Sequence, residues 1–67
     1  MRSEQAIRSR IVELEGQCAT WLEYLTVNVR LKNWHGVEDA ASDLRDFEAE
    51  IRALRFALED ALEDAHA

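Results

Sequence analysis

The sequence predicts an all-α protein, an antiparallel two-helix hairpin of coiled-coil type, and three observations carry that prediction. In the first half, Ile7, Ile11, Leu14, Cys18, Trp21 and Leu25 recur at alternating steps of four and three residues. In the second half, Val37, Ala40, Leu44, Phe47, Ile51, Leu54, Leu58, Ala61 and Ala65 do the same. Such spacing lines one face of a helix with apolar groups. The two frames do not join: a phase jump falls between Leu31 and Val37, where Asn33 and Gly36 also sit.

Helix one is expected over about residues 3–31. The 67 residues contain no proline and two glycines, so little interrupts a helix, and alanine, leucine, glutamate and arginine favour one. Residues Leu25 to Lys32 alternate apolar and polar with β-branched members, the mark of a strand. A lone strand finds no partner here, and helix is preferred. The turn is placed at about 32–36, with Asn33 as N-cap and with Glu38 and Asp39 near the positive end of the second helix. Helix two is expected over about 34–65. At ~1.5 Å per residue the helices should be roughly 43–48 Å long.

Charge is consistent with folding back. Residues 1–33 hold five bases and four acids, net +1, and residues 34–67 hold three bases and ten acids, net −7. An antiparallel hairpin is expected to set Arg2, Arg8 and Arg10 beside Glu59, Asp60, Glu63 and Asp64, and Arg30 and Lys32 near Glu38, Asp39 and Asp43. Exposed pairs contribute little stability but select orientation.

Composition also bounds function. A chain of this size is one domain and buries only ~60% of its unfolded surface. No apolar run approaches the ~20 residues of a membrane span, and no signal-peptide core follows Met1. The net charge of −6 opposes charge-driven binding to nucleic acid or anionic membrane. One cysteine makes neither an internal disulfide nor a thiolate zinc site. Cys18, at a seam position, reads as a small buried hydrophobe in a reducing compartment, the cytoplasm. His35 and His66 lie far apart in the chain, and Glu63-Asp64-Ala65-His66 supplies one Glu-x-x-His without a matching seam carboxylate. No metal, cofactor or catalytic residue is therefore expected.

The apolar residues outnumber what one seam hides. Leu22 and Val29 flank it on one side, Tyr24 and Leu31 on the other, and Val27 lies further round. Trp21, Val12, Trp34 and the outward Phe56, with Ala49 and Ala53 beside it, complete the surplus. A patch of this kind marks an interaction site, and small domains often need oligomerisation. The expected arrangement is a homodimeric four-helix bundle, or a hairpin docked on a larger protein. Asn28, the polar seam residue, either fixes register and oligomer state or turns outward near a fraying end. Gly16 points outward and leaves room for a partner helix.

Trp34-His35-Gly36, read as part of the turn, has the form W-x-G and resembles the turn of the WXG100 secreted helical hairpins. The chain departs from that family in being shorter, and in carrying Phe56-Ala57-Leu58-Glu59-Asp60 where a Tyr-x-x-x-Asp/Glu signal belongs. The residues alone give a simpler reading, in which Trp34 caps the bundle end and Gly36 eases the turn. More of the chain (EQAIRSRIVELE from Glu4 to Glu15, the central Asn33-Trp34, and Glu50 to Leu58) resembles small uncharacterised helical hairpins of bacteria and phages. That resemblance implies the hairpin and brings no activity with it. Rop-like RNA-binding hairpins share the size, but they need a basic face, and Arg2, Arg8 and Arg10 are expected to meet acids.

These readings converge on a small non-enzymatic interaction protein: an adaptor, assembly factor or regulator. The alternative is an acidic nucleic-acid mimic that inhibits a DNA- or RNA-binding enzyme, with Asp39, Asp43, Asp46, Glu50, Asp60 and Asp64 in place of phosphates. Against it stands a solvated face, interrupted by Arg45, Arg52 and Arg55 and laced with pairs such as Glu48 to Arg52.

Overall fold

The computed structural model describes residues 3–66, with side-chain surroundings to residue 64. It consists of two helices, α1 (Glu4–Arg30) and α2 (Trp34–His66), packed against each other. Helix prevails over strand at Leu25 to Arg30 because the seam continues through that stretch. Ser3 stays extended and caps α1, its Oγ accepting the Ala6 N–H at 3.1 Å.

Seam and core coincide. Ile7, Ile11, Leu14 and Ile51 form the buried cluster, and Cys18, Phe47, Leu54 and Leu58 pack against it. Ala40 is buried nearer the turn. The seam position Ala65 and the groups Arg2 and His66 lie outside the described side chains. The hairpin is a rod of 52 × 15 × 14 Å with a radius of gyration of 15.4 Å, against ~11 Å for a compact chain of this length.

The turn is built differently from the expectation that Gly36 eases it. The residue with positive φ is Lys32, at 57°, and no described glycine has one. Lys32 donates to the Val29 carbonyl at 3.1 Å and Asn33 to the Asn28 carbonyl at 2.9 Å, which is the Schellman closure of a helix. Asn33 then caps α2, its Oδ1 accepting the Gly36 N–H at 3.2 Å. Trp34-His35-Gly36 is thus the first turn of α2 rather than loop. That turn contains no acid; Glu38 and Asp39 fall one turn late for the helix dipole, which fades within the first turn.

Because a β-carbon in the left-handed region costs energy, Lys32→Gly is expected to stabilise the hairpin by ~0.5–1 kcal/mol. Urea unfolding followed by circular dichroism measures it.

Gly36 serves contact instead of conformation. A Cβ there would strike the Asn28 side chain, with Cγ at 2.7 Å and Oδ1 closer still. Asn28 is 5% exposed, so it does not turn outward. Its Nδ2 donates to the Tyr24 carbonyl at 2.7 Å, and its Oδ1 accepts from Asn33 Nδ2 at 2.9 Å. The relay runs from the last turns of α1 to the first of α2, and among the described residues no buried side-chain polar atom lacks a partner.

The ion pairs depart from the expected set. Arg10 Nε binds Glu50 Oε2 at 3.0 Å, Arg8 binds Glu4 in its own helix at 3.0 Å, and Arg55 binds Glu15 at 3.1 Å. Packing Ile7 and Leu58 into one cluster sets Arg10 level with the early fifties of α2, short of Glu59, Asp60, Glu63 and Asp64. Among the described residues Arg30 and Lys32 make no ion pair with Glu38, Asp39 or Asp43. Arg30 lies two residues past the seam residue Asn28, and so faces away from α2.

Candidate functional site

The two cross-helix ion pairs mark the two flanks of the hairpin. Residues seven apart share a strip in a coiled-coil helix, so Glu15 extends to Arg8, Leu22 and Val29, and its partner Arg55 extends to Trp34, Ala41, Glu48 and Leu62. Arg10 extends to Gln17, Tyr24 and Leu31, and its partner Glu50 extends to Asp43 and Asp64. One side is therefore a Glu15 flank and the other a Glu50 flank.

Leu22, Val29 and Trp34 stand exposed on the Glu15 flank, with Val12 beside them; Tyr24 and Leu31, with Val27 beside them, stand exposed on the Glu50 flank. Phe56 is 72% exposed on the outer face of α2. Trp21 differs from the rest of the expected set: it is half-buried at the seam and meets Tyr24 edge-on, ring centres 5.5 Å apart. The nine residues thus form no single patch.

Shallow grooves concentrate on the Glu15 flank. One is lined by Arg8, Ile11, Val12, Arg55 and Leu58, and the next by Glu15, Cys18, Glu48, Ile51, Arg52 and Arg55. A third, toward the turn, starts at Leu22 and crosses the outer face of α1 over Ala19, Glu23 and Thr26 to Val27. Leu62, half-buried, belongs to this flank and was missed in the sequence; its place seven residues beyond Arg55 was the available signal.

Charge separates by flank as well as by helix. On the Glu15 flank and the strip outside it stand four bases, Arg8, Arg45, Arg52 and Arg55, against four acids, Glu15, Glu38, Glu48 and Glu59. On the Glu50 flank and its outer strip stand Arg10 against Glu13, Asp39, Asp43, Asp46, Glu50, Asp60 and Asp64, one base against seven acids. The first sums to zero and the second to −6, the charge of the whole chain. The three arginines of α2 therefore do not interrupt the acidic row, because they lie on the other flank. Nor do Glu48 and Arg52 form an ion pair among the described residues. Within the row, Glu50 is engaged by Arg10, whose guanidinium is held above its ordinary pKa by that hydrogen bond and by the charges of Glu50 and Glu13.

Burial pushes the Cys18 thiol up from its ordinary value, and the Glu48 and Glu15 carboxylates push the same way. The protonated, weakly nucleophilic form is thereby favoured. His35 Nε2 lies 3.5 Å from Asp39 Oδ2 on the exposed first turns of α2. Among the described residues no three His, Cys, Asp or Glu side chains converge to hold a metal ion, and no helix is long and apolar enough to cross a membrane.

Comparison with protein-family models, with curated proteins and with solved structures finds no match.

Proposed function

We propose that this hairpin is a small non-enzymatic interaction protein of the cytoplasm, an adaptor, assembly factor or regulator that acts through helix–helix packing. One observation supports this reading above the others. Large apolar side chains, among them Leu22 and Val29, are held in water on well-formed helices whose seam is already filled. Keeping such groups exposed forgoes ~1.5–3 kcal/mol of burial for each, which a docked partner recovers.

Tagged hairpin used as bait in host lysate tests it. Leu22→Asp or Val29→Asp should abolish retention of the specific partner, while Asp43→Asn and Asp46→Asn leave it intact. Retention should change little between low and high salt, as for an apolar interface.

The acidic-mimic reading is kept because the net charge gathers on one flank. It predicts the opposite map: Asp43→Asn and Asp46→Asn weaken binding, Leu22→Asp does not, and affinity falls steeply with salt. That pattern in the same assay would replace the packing reading.

A further inference from the structure

We propose that the occupant of the Glu15 flank is a second copy of this chain, docked antiparallel so that two hairpins form a four-helix bundle. The proposal rests on the packing reading above and names its partner.

Area is the first argument. The chain exposes 5165 Å², whereas a folded monomer of 7.7 kDa exposes ~4,300 Å². The excess, roughly 800 Å², matches the area one partner contributes to a standard interface. One broad side of the 52 × 15 × 14 Å rod offers roughly that area.

Charge selects the side. The Glu50 flank carries the entire −6, so two copies meeting there would repel. The Glu15 flank is balanced, and a second copy meets it without a net penalty. The dimer then keeps both acidic flanks in water.

Register selects the direction. Val12 and Leu22 lie five residues to either side of Gln17, and Trp34 and Leu62 lie fourteen to either side of Glu48. Gln17 and Glu48 are neighbours along the rod, since Cys18 and Phe47 both pack on the same core. A two-fold axis crossing the rod at that level lays each helix against its own copy, running the other way. Val12 then meets the partner's Leu22, and Trp34 the partner's Leu62, in the same register. Arg45 falls within reach of the partner's Glu48. Like charges meet in either direction, Glu48 with the partner's Glu48 on this axis and Arg8 with the partner's Arg55 in the parallel alternative, so the pairing of apolar residues decides.

Sedimentation equilibrium of the full chain at tens of micromolar should give a mass twice 7.7 kDa. Val12→Asp and Leu22→Asp should each weaken association at least about thirtyfold, while Tyr24→Asp on the other flank leaves it unchanged. Helical circular dichroism checks that each variant folds, and Val12→Ser serves as the milder substitute. Direction is read in a Cys18→Ala background. Val12→Cys chains mixed with Leu22→Cys chains should oxidise to a mixed disulfide dimer, and neither should pair with itself. Failure of the mixed dimer to form, or efficient self-pairing of Leu22→Cys, overturns the antiparallel arrangement, and a monomeric wild type overturns the second copy. A monomer that still loses a lysate partner on Leu22→Asp refutes self-association and leaves the packing reading standing.

Discussion

Leu14→Ala is expected to remove about 3–5 kcal/mol of stability, enough to unfold most of the protein at low micromolar concentration. Leu14 is 0% exposed and sits among Ile7, Ile11 and Ile51 at the centre of the described core. Truncating a fully buried leucine forfeits its transfer energy and leaves a cavity, ~2.7–5 kcal/mol together. A two-helix rod collapses poorly around such a gap, because each seam residue is held between only two elements. The total available is small: at ~0.05–0.15 kcal/mol per residue a chain of this length holds ~3–10 kcal/mol. Urea unfolding by circular dichroism measures the loss. Leu14→Met, which keeps the volume, should cost less than ~1.5 kcal/mol. Phe56→Ala gives the matching contrast, since an aromatic ring already in water has little to lose and should shift stability by no more than ~0.5 kcal/mol. An equal loss at both positions would mean that Phe56 is buried in solution and the apolar surplus is wrongly placed.

The seam was legible in the sequence because a filled helix–helix line leaves a strict record, alternating steps of three and four at Ile7 to Leu25 and at Val37 to Ala61. The phase break located the turn for the same reason. The turn's chemistry was not legible. A glycine next to a phase break suggests a left-handed residue, yet Lys32 takes that conformation because the Schellman hydrogen bonds fix the backbone whatever the side chain. Ion pairs were misjudged because a count of charges along each half ignores register and strip. Arg10 reaches Glu50 rather than the acidic end, and Arg45, Arg52 and Arg55 leave the acidic row uninterrupted by lying on the far side of α2. The division into a balanced and an acidic flank needed only the heptad positions of the charged residues. The two cross-helix ion pairs showed which positions on α1 and α2 share a side.

The two glycines should answer the same substitution in opposite directions. Alanine in a helix interior is favoured over glycine by ~0.8–1 kcal/mol, and at Gly16 nothing lies within 4 Å of an added Cβ. Gly16→Ala should therefore stabilise the hairpin by up to ~1 kcal/mol. At Gly36 the same Cβ meets the Asn28 carboxamide, which is not free to retreat. Its nitrogen is committed to the Tyr24 carbonyl, its oxygen to Asn33, and Asn33 in turn to the Gly36 N–H. Displacing Asn28 breaks two hydrogen bonds and strands polar groups near the seam, at ~1–3 kcal/mol for each group left unsatisfied. Gly36→Ala is thus expected to cost ~2–3 kcal/mol despite the gain in helix propensity. A double-mutant cycle isolates the contact. Asn28→Ala should itself destabilise, but Gly36→Ala added to it should cost little or even stabilise, giving a coupling of at least ~1 kcal/mol. Additive losses would show that the asparagine is not what keeps position 36 without a side chain. Close approach at the relay, rather than freedom of the backbone, is the reason for a glycine two residues inside α2.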